Sequence, residues 1–384
     1  MRSPVDISTK LPKVGTTIFT VMSKMAQDHG AINLSQGFPD FEVDPLLISF
    51  VSKEMRDGNN QYAPLAGAMP LREAIAKKTK DLHGANYNPE TEITVTAGAT
   101  QAIFTAITAL VKEEDEVIVF TPAYDCYVSP IILNGGKPVY VQLKGPDFKV
   151  NWGDVKKVVT RKTRLIIINS PHNPSGSVWS EEDMKELEKL ATNSDALVLS
   201  DEVYEHIVFD GKKHWSASKF PELAKRSLVV ASFGKTFHVT GWKLGYIIAP
   251  ENLMKEFKKV HQYLVFCVNA PMQLAIANYL EEPSRYNDIA KMYEKKRDTF
   301  LAQLEGSRFK FKPTEGSYFQ LLDYSSISKL DEVKFAEKLT KENGVASIPV
   351  SVFYHQPLEQ NCLRFCFAKS DETLEKAGAI LREL

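Results

Sequence analysis

A lysine, Lys235, stands just past the apolar run SLVVASF (227 to 233), and an aspartate, Asp201, closes another, ALVLSD (196 to 201). An amine at the end of a buried strand can form a Schiff base with an aldehyde. A carboxylate there needs a cationic or proton-donating partner to offset its desolvation. Taken singly, both have ordinary readings, since most lysines are solvated side chains. Further polar groups follow other apolar runs. ITVTA (93 to 97) leads into Gly98-Ala99-Thr100-Gln101 and a helical stretch, which offers free backbone N–H groups and a hydroxyl to one phosphate. That segment matches neither G-x-G-x-x-G nor the Walker pattern, so dinucleotide and triphosphate readings weaken. EVIVF (116 to 120) leads to Tyr124, a ring able to stack on a planar ligand. RLIIIN (164 to 169) leads to PHNPSG (171 to 176), where Asn173 presents an amide, and Tyr204 brings a phenol three residues past Asp201.

These groups act together only if the apolar runs lie side by side. Seven such runs, those above with PVYVQL (138 to 143) and LGYIIA (244 to 249), recur through the middle of the chain. Most read as strands buried on both faces. Helical patterns separate several of them, including QAIFTAITALVKEED (101 to 115) and a stretch that Ser180 with Asp183 would cap. The expected fold is α/β, a mostly parallel seven-stranded sheet sandwiched by helices. After about Pro271 longer charged helices appear, with short strands GSYFQLL and CLRFCFA and a final helix from about Asp371. We expect an N-terminal arm (1–35) packing on a small C-terminal α+β domain (271–384), with a large domain (36–270) between them in sequence. In open α/β sheets ligands gather beyond the carboxyl ends of the strands. A phosphate cradle, a stacking ring, an amide, a carboxylate, a phenol and a lysine at successive strand ends fit pyridoxal phosphate, whose aldehyde bonds a lysine and whose pyridine nitrogen needs an acidic partner.

At these residues the chain resembles fold-type I pyridoxal-phosphate enzymes, specifically the class I aminotransferases. NLSQGFPDF (33 to 41), QYAP (61 to 64), TAGATQA (96 to 102), PHNPSG, SDEVYEH (200 to 206), SFGKTFHVTGWKLGY (232 to 246) and LRFCFAK (363 to 369) occur in that family's order. KLPKVGTTIF, VHQYLVFCVNAP and IPVSVF look like the branch that takes methionine, kynurenine or glutamine. The resemblance implies that Lys235 carries the cofactor's aldehyde and, once displaced, moves the proton between substrate Cα and cofactor. Asp201 would pair with the protonated pyridine nitrogen, Tyr204 and Asn173 would hydrogen-bond the ring's 3′ oxygen, and Tyr124 would stack on the ring. Ala99, Thr100, Ser232 and Lys243 would hold the phosphate, with Tyr62 reaching in from the second subunit of a homodimer. Arg364 would bind the substrate α-carboxylate as a bidentate fork, near Gly37 and Asn173. Many relatives carry arginine at the position of Lys243, so a point charge is expected on the phosphate without a bidentate clamp. Phe19, with Val268 and Asn269 from the facing subunit, would surround the substrate side chain, which favours methionine and aromatic donors over aspartate.

The charge balance of 47 basic against 48 acidic residues gives a net charge of −1, which recommends neither nucleic acid nor a membrane surface as partner. Four scattered cysteines suit a reducing cytoplasm better than a disulfide framework. The first residues lack a signal-type apolar core, and no stretch approaches the ~20 apolar residues of a membrane helix. The histidines show no metal-ligand spacing, so no metal is expected. His206 and His238 read as satisfied structural groups. A kynurenine/glutamine-type transaminase or a β-lyase acting on cysteine conjugates is the alternative on this fold. The same fold also serves as a sensing module in some DNA-binding regulators, but the short segment before NLSQGFPDF speaks against a winged helix.

Overall fold

The computed structural model describes residues 8–356 and 358–384; the first seven residues of the expected arm lie outside the described residues. Among the described residues twelve strands form: β1 (Ile32–Asn33), β2 (Ile93–Thr96), β3 (Glu116–Thr121), β4 (Lys137–Gln142), β5 (Thr163–Asn169), β6 (Leu197–Asp201), β7 (Ser227–Ser232), β8 (Gly245–Ile248), β9 (Phe319–Asp323), β10 (Val345–Ala346), β11 (Ile348–Pro349) and β12 (Cys362–Cys366). Seven of them make one sheet in the order β2-β8-β7-β6-β5-β3-β4. All neighbours are parallel except β8, which runs antiparallel to both β2 and β7. The fold class expected from the sequence is therefore the one observed. β4, at the edge, is only partly buried, which explains the mixed polarity of its run.

Period-two alternation divides the sheet between two apolar layers. Val117, Val119, Leu165, Ile167, Leu199, Leu228 and Val230 share one layer with residues of helix Glu251–Leu264. Ile118, Ile166, Ile168, Val198, Val229 and Tyr246 pack into the other. Four helices near the start of the chain matter for the site: α1 (Ile18–His29), α2 (Pro45–Arg56), α3 (Met69–His83) and α4 (Ala99–Leu110). α4 starts and stops earlier than the expected 101 to 115. Val111 turns extended, leaving Glu113, Glu114 and Asp115 outside the helix's C-terminal end, where negative charge is unfavourable. Ser180 and Asp183 form the expected capping box.

The remaining strands form a three-stranded antiparallel sheet, β11-β12-β9, and a parallel pair of β1 with β10. α1 packs on helix Glu332–Asn343 and on β10 and β11, so the described part of the arm touches the C-terminal elements. Helix Ala270–Leu280 packs on α2 and α3; the change of sequence texture near Pro271 thus precedes the change of packing partners. The charged stretch after Pro283 divides at Asp288 into Ser284–Asn287 and Ile289–Gln303, and the longer helix packs on Asp371–Arg382.

Candidate active site

Because β8 is reversed, its first residue lies at the sheet edge where its neighbours end. Gly245 pairs with Thr96 of β2 on one side and Ser232 of β7 on the other. A Cβ on Gly245 would sit 2.7 Å from Ala231 O and 3.1 Å from the Ala99 nitrogen, so only glycine lets these three segments meet. α4 opens at that point from Gly98, at φ 79°, with no side chain capping its first turn. The first N–H groups of a helix have no acceptor within it and point at whatever lies beyond. Lys243, itself in the left-handed region at φ 52°, reaches over them; its Nζ lies 3.4 Å from the place a Gly98 Cβ would occupy. The arrangement is a cradle for an anion.

A cleft of about 380 Å³ extends from this cradle. It brings together Phe19, Gly37, Ala99, Thr100, Tyr124, Asn173, Asp201, Tyr204, Ser232, Lys235, Lys243 and Arg364, residues contributed by the arm, the segment after β1, the ends of β2, β3, β5, β6 and β7, the segment before β8, and β12. Lys235 sits in a single helical turn, Phe233–Thr236, directly after β7. Its Nζ donates to Tyr318 Oη at 2.7 Å and to the Gly37 carbonyl at 3.1 Å. Burial is the main reason its pKa falls to about 8, with Arg364 and Lys243 pushing the same way. Asp201 is buried at the end of β6, and its desolvation lifts its pKa to about 6. The Tyr127 hydroxyl donates to Asp201 Oδ2 at 2.6 Å and opposes that rise. Tyr204 packs edge-on against Tyr318, 5.1 Å between centroids, and burial holds its hydroxyl protonated well above the usual phenol range.

Arg364 is 1% exposed. Its Nη1 donates to Asn173 Oδ1 at 2.7 Å and its Nη2 to Ser35 O at 3.0 Å, while Nε is buried with no partner. The guanidinium lies 3.9 Å from the centroid of Phe319 and 5.3 Å from those of Phe19 and Phe353. Burial brings its pKa down to about 10. The buried cations Lys78 and Arg297 are paired with Glu205 and Asp210; among the described residues Lys235, Lys243 and Arg364 have no such carboxylate. Three unpaired cations and an orphaned guanidinium N–H suit a ligand that is anionic at both ends.

Tyr62 is not in this cleft. It is 82% exposed and packs edge-on against Phe266 at 5.3 Å. Val268 is buried in the core of its own chain, so it offers no free face to a second subunit, and the Asn269 side chain caps helix Ala270–Leu280 by accepting from Met272 N. His238 is bonded to Tyr293 Oη, but buried His206 Nε2 has no hydrogen-bond partner, which corrects its reading as a satisfied group. The sequence reading missed Tyr127, Tyr318, Phe319 and Phe353. Tyr127 lies three residues past Tyr124 and was within reach of the strand-end reading; the other three come from segments outside the large sheet.

Residues 29–381 match the family model described as aminotransferase class I and II. The chain is 48% identical over 383 residues to a methionine aminotransferase of Escherichia coli, covering 100% of this chain and 99% of that one. It is 35% identical over 417 residues to a kynurenine–oxoglutarate transaminase of Dictyostelium discoideum, covering 98% and 96%. A crystal structure of an Escherichia coli protein with methionine aminotransferase function superposes with a TM-score of 0.97 at 48% identity, over 99% of this chain and 100% of that one. The anion cradle, the half-buried lysine and the carboxylate at the strand ends are thus carried on a chain that belongs to the class I and II aminotransferases.

Proposed function

We propose that this aminotransferase uses pyridoxal 5′-phosphate and prefers uncharged, largely apolar amino donors, with methionine and aromatic amino acids ahead of aspartate. The observation that carries the reading is the pairing, in one cleft, of an unpaired lysine and an aspartate with an anion cradle at one end and a guanidinium among aromatic rings at the other. When bound, the cofactor supplies an electron sink for the pair left on the substrate's Cα.

The chain's own residues do the rest. The N-terminus of α4, with Ser232 and Lys243, would hold the phosphate. Tyr124 would lie against the ring, Asp201 would supply negative charge for the pyridine nitrogen, and Tyr204 and the Asn173 amide would serve the ring oxygen. Lys235, with a pKa near 8, is available as a neutral amine to take the proton from Cα and return it. Arg364 orients the α-carboxylate. Around that carboxylate the side-chain end of the cleft is lined by Phe19, Phe38 and Phe319, with Phe353 packed behind the guanidinium. A second carboxylate would lose its hydration there without a cationic partner, whereas a thioether or ring gains about 25 cal/mol per Å² buried. The named activity of the 48%-identical Escherichia coli relative supports methionine.

The same reading places the active unit as a homodimer, with Tyr62 serving the neighbouring phosphate site; its exposure beside the exposed Tyr263, Leu264 and Phe266 supports this. It also retains the three-part division at 35 and 270 and a cytoplasmic location, for which the support is four free cysteines and the absence, among the described residues, of any helix long and apolar enough to cross a membrane. Measuring kcat/KM for methionine, phenylalanine, kynurenine and aspartate against one oxo acid tests the donor assignment. Aspartate coming out best would overturn it.

A further inference from the structure

Resting on the assignment of Lys235 as the proton carrier, we propose that Tyr318 is its positioning residue: the Tyr318 oxygen and the Gly37 carbonyl accept both N–H bonds of the neutral amine and leave the Nζ lone pair free for the substrate's proton. Three hydrogen bonds close a triangle. Lys235 Nζ donates to Tyr318 Oη at 2.7 Å and to Gly37 O at 3.1 Å, and the Tyr318 hydroxyl donates to Gly37 O. The third bond decides the direction of the first. A phenol beside a neutral amine could instead donate into the nitrogen lone pair and quench it as a base. Here the phenol proton is held by Gly37 O, so Tyr318 meets Nζ only as an acceptor. A neutral amine has two N–H bonds; with both engaged, its lone pair is the one valence left.

The phenol is built to stay where it is. Tyr318 is fully buried, with its ring against Phe319 at 4.9 Å, Tyr204 at 5.1 Å and Tyr293 at 5.7 Å. It follows Ser317, whose φ of 62° is a conformation non-glycine residues rarely adopt and whose N–H donates to Ile207 O at 2.9 Å. That turn delivers the tyrosine from outside the large sheet onto the lysine that follows β7. The groups facing Nζ are Asp201 from β6, Lys243 before β8, Arg364 and Cys366 on β12, and the phenols of Tyr204 and Tyr318. Only the Tyr318 phenol is hydrogen-bonded to it. In the proton transfer the Cα–H bond breaks and a third N–H bond forms on Nζ. The carbon's electron pair passes to the sink, and the ammonium then gives the proton up again.

The test uses full-length cofactor-free protein mixed with pyridoxal phosphate, following covalent capture by absorbance as a function of pH, for wild type, Tyr318→Phe and Lys235→Ala. The phenylalanine variant keeps the ring and removes only the oxygen. An ammonium loses more than an amine when an acceptor is deleted, so the midpoint of capture should move to lower pH. The plateau rate should fall about tenfold as the amine loses its orientation, a fraction of what a positioned base contributes. In the reconstituted variant kcat should fall with the donor's KM unchanged. A lesion in packing alone would lower the rate without moving the midpoint, so an unmoved midpoint in Tyr318→Phe overturns the proposal whatever the rate. Lys235→Ala should capture nothing that survives borohydride reduction; covalent capture by that variant would instead remove the assignment of Lys235 itself.

Discussion

Replacing Arg364 by methionine should leave the free protein as stable as before or slightly more stable while removing most of its activity. The guanidinium is 1% exposed and burial brings its pKa down from the ordinary guanidinium value to about 10, which corresponds to about 3 kcal/mol against keeping it charged. The sign follows from the depressed basicity: this cost is present at every pH below about 10 and is relieved only as pH rises from there. Methionine is unbranched, fits the space among Phe19, Phe319 and Phe353 and removes the cost. It also strands two acceptors, Asn173 Oδ1 and Ser35 O, at about 1 kcal/mol each. The balance is about 1 kcal/mol in favour of the variant. Losing a buried guanidinium–carboxylate contact costs about 2 to 5 kcal/mol, so kcat/KM should fall between about 30-fold and several thousand-fold. Thermal melts of the cofactor-free proteins at neutral pH, beside kcat/KM for methionine, read both effects. A variant that melts well below wild type yet keeps near-normal kcat/KM would show that Arg364 braces the fold and that substrate binding lies elsewhere.

Asp201→Asn should fold and lose most activity, because an amide cannot supply the charge that a protonated pyridine nitrogen needs. Its stability should also differ in pH dependence: Asp201 has a folded pKa raised to about 6 from 3.8, so cofactor-free wild type should lose up to about 3 kcal/mol as pH rises through that window, and the asparagine variant should not. Glu205→Gln should destabilise the protein by about 3 to 5 kcal/mol, since Lys78 Nζ, 2.6 Å from Glu205 and buried, would be left an unpaired charge. Lys78→Met with Glu205→Leu should recover most of that loss in a denaturant titration. Sedimentation at assay concentration should show a dimer, and a fully active monomer would refute the role given to Tyr62.

The large sheet was legible because its strands announce themselves as β-branched runs, and the ligand-facing residues were legible because each follows such a run. Asp201, Asn173 and Lys235 needed no more than that rule and the motifs around them. Tyr318, Phe319 and Phe353 escaped because their approach depends on how β9 and the turn before Tyr354 dock over the sheet, a tertiary fact with no local periodicity. The reversal of β8 was not read either, since an apolar run carries no sign of direction. Val268 was misplaced for a related reason: an apolar residue beside an exposed loop can close its own core as readily as face a neighbour.

That reversed strand also sets when the anion cradle can exist. β2, the first strand of the large sheet in the chain, is joined to the sheet only through β8, the last one. A chain emerging from the ribosome therefore carries β2 without a place in the sheet until residue 248 has been made. Lys235 and Asp201 precede that point, but the glycine that seats α4's first turn and the lysine above it come with β8. Pairing across such sequence separation is slow, and an unpaired apolar strand is open to aggregation while it waits. Nascent fragments ending before β8 should depend on chaperones more than those ending after it, and cofactor uptake becomes a timer for the last strand's arrival.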